Sequence, residues 1–426
     1  VLDVMNSVRG RFSSCVSAGI GLWLAGFLGV PAFAQPVKSH QQPTGEATTL
    51  QFRREAYNPA VLHLRFTPAK GKTTSEQADA FLDLTLIPSS GNVEGFRVEL
   101  STEVFRDQLR KLYMQLSRLE PLNFEDPKSP TRQLYSLLFE NLTDVLIKEK
   151  VSTLLIAADR GLQAVPFAAL SNGQNYFGEK FAFSITPSLA LTDFSAKSVS
   201  DERLLALGAS EFEGLAALPL VPQELARIAE DDKKDKFLNS EFTPSTFLEK
   251  AGSSQYDKLH VATHAEFKPG GPEASQLHSG AGPLSMKELS KLREKRQGVP
   301  LDLVVFSACR TALGDADAEL GFSGLALQAG ARSAVGTLWY VDDVVTSAYF
   351  VQMYRFLEQG VPKAEAMQLT RQAFIDGLVR LSGDEVIGVD GSPLLRELSP
   401  SQRRRVSNGV ANPFFWAGIE LMGAPW

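Results

Sequence analysis

One histidine and one cysteine each follow closely on a short apolar segment of the chain. His264 comes two residues after the segment 258–262, KLHVA, and Cys309 comes three residues after the segment 303–306, LVVF. Ligands of open α/β sheets gather at the carboxyl ends of parallel strands, so neighbouring strands here would bring the imidazole and the thiol to one edge. An imidazole beside a thiol raises the thiolate fraction that attacks a carbonyl carbon. The pair predicts a cysteine hydrolase, with a satisfied structural histidine as the alternative interpretation.

The N-terminal segment has the pattern of a secretory signal peptide. Arg9 and Arg11 precede a charge-free apolar stretch over 16–30, and Ala32-Phe33-Ala34 follows it. This pattern predicts cleavage after residue 34 and export to a periplasmic or extracellular compartment, with no stable membrane span after cleavage. The alternative is an uncleaved membrane anchor, because the apolar stretch is nearly long enough to cross a bilayer.

Export would leave the mature chain with a single thiol. The sequence has two cysteines, and Cys15 lies in the segment predicted to be removed, so Cys309 would have no internal disulfide partner. A lone thiol in an oxidising compartment is either buried and inert or retained for its reactivity. A thiol redox sensor is disfavoured, because no second cysteine is left to resolve an oxidised one.

The composition is that of an ordinary globular protein, and it argues against several classes of function. The 426 residues are 44% hydrophobic and 22% charged, with a formal net charge of -6. Nucleic acid is not expected as a partner, because there is neither a basic surplus nor a Lys/Arg stripe interleaved with aromatic residues. No glycine-rich phosphate loop is found, so no cofactor is predicted. His260, Asp302 and Cys309 are the candidate metal ligands, but there is no Cys/His pair at zinc spacing, so no metal is predicted either.

The N-terminal third of the chain reads as a leader followed by an α+β part. After the signal peptide, residues 35–49 are rich in Gln, Ser, Thr, Pro and Gly, which predicts a flexible leader. Over 50–150, alternating apolar residues predict the strands of a small antiparallel sheet. Apolar positions at three-to-four spacing predict helices over 102–119 and 131–148.

The remainder, 151–423, has the rhythm of an α/β core. Short apolar runs that suit strands buried on both faces alternate with helical segments, which predicts a layered sheet with helices on its faces. The runs cover 153–157, 204–207, 258–262, 303–306 and 333–338, with further helices over 344–358 and 362–380 and a final strand over 414–421. The charged stretches 231–236 and 384–405 predict solvated or mobile loops.

Four blocks of sequence resemble the CHAT family of caspase-like domains. The blocks are LIAADRGL (155–162) with VPFAAL (165–170), LHVATH (259–264), VVFSACRTALG (304–314), and the stretch 324–343, which contains GLA, GARS and LWYVDD. Their order and spacing extend the resemblance over a CHAT domain at 50–423. The resemblance implies a caspase-like three-layer α/β sandwich with a mostly parallel central sheet.

The resemblance also implies a role for each site residue. His264 would be the general base, Cys309 the nucleophile, and the backbone N–H groups of Ala265 and Cys309 the oxyanion hole, which stabilises the tetrahedral oxygen. The family usually has glycine where this chain has Ala265. Alanine still donates its amide if the backbone conformation tolerates a Cβ atom.

The resemblance suggests a substrate pocket near the end of the first core strand and just ahead of the cysteine. Asp159 and Ser307 occupy those positions. An acid at Asp159 would suit a basic side chain before the scissile bond, although a turn or capping role is an equal alternative. Trp339 with Asp342 and Asp343 would form the opposite wall, and Asp342 could equally cap the following helix.

The sequence thus predicts a cysteine endopeptidase acting on a peptide or protein substrate. Its activity could be latent and depend on a regulatory protein partner. The alternative function is a catalytically silent caspase-like module that binds partners or serves as a scaffold.

Overall fold

The structure is a computed structural model. It describes residues 57–69, 73–75, 77–159, 161–194, 202–231, 233–266, 273, 275–308, 321–340 and 342–426. The predicted signal peptide, the predicted leader and Cys309 lie outside the described residues, so cleavage and export stay predictions.

An eleven-stranded mixed sheet is the centre of the fold. The strands are β1 (Pro59–Pro68), β2 (Ala80–Pro88), β3 (Glu94–Leu100), β4 (Thr153–Ala158), β5 (Ala182–Thr186), β6 (Leu204–Gly208), β7 (Lys234–Leu238), β8 (Lys258–Ala262), β9 (Ala265–Glu266), β10 (Gln276–Ser279), β11 (Gly282–Ser285), β12 (Leu303–Ser307), β13 (Ser333–Thr337), β14 (Arg380–Ser382), β15 (Glu385–Ile387), β16 (Pro393–Leu395) and β17 (Ile419–Gly423). The order across the large sheet is β3-β2-β1-β4-β5-β17-β13-β12-β8-β6-β7, while β9 to β11 and β14 to β16 form two small sheets. Only the β3-β2, β2-β1 and β17-β13 pairs of the described large sheet are antiparallel.

Helices cover the faces of this sheet. They are α1 (Thr102–Ser117), α2 (Pro130–Phe139), α3 (Thr143–Lys148), α4 (Phe177–Lys180), α5 (Val221–Ile228), α6 (Pro244–Lys250), α7 (Lys287–Ser290), α8 (Leu292–Lys295), α9 (Gly321–Gln328), α10 (Asp343–Glu358), α11 (Lys363–Ile375) and α12 (Pro400–Val406). None of the helices in the described ranges is both long and apolar enough to span a membrane.

The core strands are buried at nearly every position because helices cover both faces of the sheet. On β6, Leu204 and Ala206 pack in a cluster with α5, α10 and α11. The alternate residues Leu205 and Leu207 pack in a second cluster with α6 to α9 on the opposite face. Successive side chains of a strand point to opposite faces, so a strand between two helical layers needs apolar residues at every position. The predicted α/β sandwich is confirmed.

The N-terminal strands extend the central sheet. Burial alternates along β1, as expected for a strand with one covered face, and β1 pairs antiparallel with β2. On its other side β1 pairs parallel with β4, with Pro59 opposite Thr153. The predicted antiparallel strands are therefore present and continuous with the parallel core.

Two charged stretches that the sequence predicts as loops form regular elements. Strand β7, with Lys234 and Lys236, pairs parallel with β6 at the edge of the sheet. Residues 384–405 contain β15, β16 and most of α12. Charged side chains suit an edge strand and a surface helix, because both present side chains to water. Charge alone was therefore a poor indicator of a loop.

Helix and strand ends also differ from the predicted bounds. The helix predicted over 362–380 ends at Ile375. Gly377, just beyond that end, has a φ of 66°, a left-handed conformation that closes helices. The strand predicted over 414–421 begins only at Ile419, after a 3₁₀ turn over Pro413–Phe415.

Helix α11 carries two buried charged side chains against the amino ends of the strands. Lys363 Nζ lies 3.1 Å from both carboxylate oxygens of Asp302, which precedes β12. Glu365 accepts a hydrogen bond from Thr153 Oγ1 at the start of β4, and its Oε2 has no hydrogen-bond partner. Burial raises the pKa of Glu365 to about 7 and lowers the pKa of Lys363, which the Asp302 charge opposes.

Candidate active site

Strands β8 and β12 are neighbours, as the dyad hypothesis requires. They pair in parallel, and the last paired residues are Ala262 and Ser307. His264 is the second residue after Ala262, and Cys309 is the second residue after Ser307. His264 and Cys309 are thus each two residues beyond the last paired residue of their strands, at the carboxyl edge of the sheet. Cys309 itself lies outside the described residues.

The backbone at His264 is held between the large sheet and a small one. Thr263 N donates to Ser307 O at 3.3 Å, which continues the β8–β12 pairing. His278 N on β10 donates to His264 O at 2.9 Å, and Thr263 Oγ1 donates to His278 O. The chain at His264 therefore passes directly from the large sheet to the small one, and its backbone is hydrogen-bonded on both sides of the junction.

The imidazole of His264 is oriented by the loop between β6 and α5. Nε2 lies 2.7 Å from the carbonyl oxygen of Ala216, and the ring centroid lies 4.7 Å from that of Phe212. A carbonyl oxygen only accepts, so Nε2 must carry the proton, and in the neutral ring Nδ1 is then the basic nitrogen. The loop is fixed at its start by Asn239 Oδ1, which accepts from Ser210 N at 2.8 Å.

Ala265 is placed so that its amide faces away from the small sheet. Because His278 N donates to His264 O, these two residues form a hydrogen-bonded pair of an antiparallel ladder. The next pair, Ala265 with Leu277, is then of the type that exchanges no hydrogen bonds, and its N–H groups point outward. Ala265 is in the extended strand β9, so its Cβ atom is accommodated.

A small cleft, with a cavity volume of about 40 Å³, opens at this edge between the strand ends and the helices α5 and α10. Two of its lining residues are acidic, and none of those that the structure describes is lysine or arginine. Tyr340, with 53% of its surface exposed, stands at the rim. The lining residues are Leu218, Val221, Glu224, Thr263, His264, Ser307, Ala308, Thr337, Tyr340, Asp343, Thr346 and Ser347. Ser307 thus lines the cleft, and its role in substrate binding stays a prediction.

Glu224 is a buried carboxylate in the lining of the cleft. It is 1% exposed, and its Oε2 accepts from Ser347 Oγ at 2.6 Å. Its Oε1 lies 2.9 Å from His260 Nε2, within β8. His260 is thus a core histidine bonded through Nε2, while its Nδ1 is buried without a hydrogen-bond partner. Asp302 instead pairs with Lys363 near the amino ends of the strands. His260 and Asp302, two of the candidate metal ligands, therefore have different partners.

Asp342 and Asp343 begin α10 beside the cleft. Asp342 Oδ1 accepts from Val344 N at 2.9 Å, which confirms the capping interpretation. Arg405 Nη1 lies 2.8 Å from Asp342 Oδ2 and 2.7 Å from Asp343 Oδ1. The second contact lacks hydrogen-bond geometry, so Asp343 Oδ1 is a buried acceptor without a hydrogen bond. Burial raises the pKa of Asp342, and the positive charge of Arg405 opposes that rise.

The structure does not bring Asp159 to the cleft. Its Oδ2 accepts from Phe66 N at 3.1 Å, which ties the end of β4 to β1. In the sheet, β5, β17 and β13 separate β4 from β12. Four strand spacings correspond to about 19 Å. The strand beside β8 is β6, so the core strand nearest the site ends at Gly208 and not at Asp159.

Trp339 is packed away from the cleft as part of an aromatic cluster. Its Nε1 donates to Phe414 O at 2.9 Å, and its ring meets Tyr113 edge-on with centroids 5.6 Å apart. The neighbouring Tyr340 is the residue that reaches the cleft. Trp339 thus packs against other aromatic rings and is not among the residues that line the cleft.

Three contributors to the site were missed in the sequence. Phe212 and Ala216 lie in a loop without a motif, and the carbonyl oxygen that Ala216 supplies exists in every residue, so it has no sequence signal. Glu224 reads as an ordinary acid in the first turn of a helix. In the described part of the chain, no group of three or more His, Cys, Asp or Glu side chains is arranged to hold a metal ion.

Comparison with known proteins agrees with the fold. A family model of the CHAT domain matches residues 128–424. A chain of the separase–securin complex of Saccharomyces cerevisiae is similar with a TM-score of 0.51 and 11% identity, over 87% of this chain and 30% of that one. The Arg-specific cysteine proteinase gingipain R of Porphyromonas gingivalis aligns with a TM-score of 0.41 and 9% identity, over 68% of each chain. No curated protein sequence matches this chain. At such low identities the similarity with separase shows a caspase-like fold alone.

Proposed function

The chain belongs to the CHAT domain family and has a caspase-like fold, and on that premise we propose that it is a cysteine endopeptidase with Cys309 as nucleophile and His264 as base. The observation that carries the proposal is the placement of His264. It is the second residue after the paired part of β8, as Cys309 is the second residue after the paired part of the neighbouring β12. Its Nε2 is bonded to Ala216 O at 2.7 Å. This tautomer leaves Nδ1 as the proton acceptor that a thiol needs.

In the proposed reaction both proton transfers use Nδ1 of His264. Nδ1 takes the thiol proton, and the thiolate sulfur of Cys309 attacks the carbonyl carbon of the scissile bond. The C–N bond then breaks, and Nδ1 returns the proton to the leaving amine. Water hydrolyses the resulting thioester and regenerates the thiol. The outward N–H of Ala265 would donate to the oxyanion while the tetrahedral intermediate lasts.

The electrostatics of the cleft favour a basic side chain in the substrate. Glu224 and Asp343 line it, and Asp343 Oδ1 is buried without a hydrogen bond. A cationic side chain in this partly desolvated space would pair with a carboxylate, where the loss of one partner costs about 2–5 kcal/mol. Because both oxygens of Glu224 are bonded to His260 and Ser347, we propose that Asp343 takes the role that the sequence had suggested for Asp159. The separase structure is that of a complex with another protein, securin, and we propose a protein substrate or partner here also.

Covalent labelling tests the proposed nucleophile. A peptidyl acyloxymethyl ketone with arginine next to the reactive carbon should give one adduct by intact mass, and peptide mapping should place it on Cys309. The Cys309→Ala variant should remain unlabelled. An unreactive Cys309 in folded protein would contradict the peptidase and favour the silent binding module.

Fluorogenic peptides test the proposed specificity. Asp343→Asn should lower kcat/KM for peptides with Arg or Lys before the reporter by at least about tenfold, because it removes the charge that pairs with the cation. Peptides with Leu at that position should be cleaved at nearly unchanged rates. The matched variant Asp159→Asn should show no selective loss, because its carboxylate lies at β1. A uniform loss across all peptides for Asp343→Asn would contradict the pairing.

A further inference from the structure

A basic side chain of the chain itself already lies at the acids of the cleft. Arg405 extends from α12, and its Nη1 is within 2.8 Å of both Asp342 and Asp343. We propose that Arg405 is a resident cation that competes with the basic side chain of a substrate and so sets how tightly the cleft binds it. The proposal rests on the proposed function, since it concerns the same cleft.

The contact has the features of a pair that can exchange. The Arg405 side chain is 43% exposed, whereas those of Asp342 and Asp343 are 16% and 18% exposed, so water reaches the cation more easily than the acids. Arg405 makes no aligned hydrogen bond to Asp343 Oδ1. A guanidinium arriving through the cleft could align two N–H donors with that carboxylate, which is the stronger arrangement.

Charge balance points in the same direction. Asp342 Oδ1 is engaged by the backbone of α10, so only Oδ2 is available to a cation. Among the ion pairs of the described residues, Arg405 is the only cation at Asp342 and Asp343. Its removal would leave both acids to attract a bound cation.

The position of Arg405 depends on a part of the fold that also contacts the cleft helices. Gln223, next to Glu224 on α5, exchanges two hydrogen bonds of 2.9 Å with the backbone of Arg396. On α10, Arg355 Nη1 donates to Asp390 Oδ1 at 3.0 Å. A partner that displaced the segment 390–405 would therefore withdraw the resident cation and make the acids available to a substrate.

Binding of p-aminobenzamidine, a fluorescent arylamidine cation, tests the inference without requiring turnover. The measurement uses the full chain with Cys309→Ala, at pH 8 and low salt, so that ion pairs are not screened. Adding Arg405→Gln should lower the Kd by about two- to fivefold, the range expected for loss of a partly exposed competing ion pair. Arg405→Lys should stay near the parent value, and so should Arg404→Gln, which changes an exposed neighbour on the same helix. Adding Asp343→Asn should abolish the gain.

The alternative outcomes separate this inference from the proposed function. Unchanged or weaker binding in a folded Arg405→Gln variant would overturn the competition, as would a gain that persists after Asp343→Asn. Absence of amidine binding in every variant would also overturn it. Labelling of Cys309 in the wild-type protein would in each case still support the peptidase.

Discussion

Replacement of His264 by alanine should slow the alkylation of Cys309 at pH 7 by roughly 30-fold, because a thiol with a free pKa of about 8.5 is only about 3% ionised at that pH. The physical reason is the fixed tautomer, because Ala216 O holds the Nε2 proton and Nδ1 is the acceptor for the thiol. Without the imidazole the thiol should titrate near its free pKa of about 8.5. The difference between the variants should therefore shrink as the pH approaches 9, which pseudo-first-order labelling rates across pH would measure.

A matched control uses a histidine far from the site. His63 lies on β1, at the other end of the sheet, so His63→Ala should keep the wild-type labelling rate and pH profile. Thermal unfolding should show that the His264→Ala variant is folded. Equal labelling rates in His264→Ala and wild type would mean that the imidazole does not activate the thiol.

Replacement of Glu365 by glutamine should remove a loss of stability at neutral pH. Below pH 4.5 this carboxyl is protonated in both the folded and the unfolded chain. Burial raises its folded-state pKa from 4.5 to about 7, so between these values the unfolded chain ionises first and the equilibrium moves towards unfolding. By proton linkage this one group lowers the free energy of unfolding by about 3 kcal/mol as the pH rises through 7.

Glutamine is neutral at every pH and can still accept the hydrogen bond from Thr153 Oγ1. Urea unfolding at pH 5 and pH 8 should show a higher free energy of unfolding for Glu365→Gln at pH 8 and a smaller difference at pH 5. Glu103→Gln, at an exposed position in the first turn of α1, should keep the wild-type dependence. The same dependence in Glu365→Gln would assign the pH effect to other groups.

The parallel core could be predicted because burial on both faces leaves a simple record in the sequence. Strands such as β6 and β12 are apolar at nearly every position, and the polar residues that follow β8 and β12 predict the edge of the candidate site. Strand β7 was missed because an edge strand with a half-exposed surface has charged residues and no such record. The hydrophobic pattern of a strand indicates how much of it is buried, and edge strands are only partly buried.

The order of the strands could not be predicted, and it determines which residues line the cleft. Asp159 follows the first strand of the core along the chain, yet the strand that flanks β8 is β6. The contact of Arg405 with Asp343 was equally hidden, since 62 positions of the chain separate them. Sequence spacing identified residues at strand ends, while contacts between distant segments required the fold.

The placement of β17 affects the timing of folding during synthesis. This strand joins β5 to β13 in the middle of the sheet, although it is made after every other strand of the sheet. At about 5–20 residues per second, residues 419–423 are synthesised roughly ten seconds after Cys309. Until then the half of the sheet that carries His264 lacks its central neighbour and Arg371 lacks its backbone acceptor, Ile419 O. A growing chain would therefore complete the sheet around the edge that carries His264 only after residues 419–423 have been made.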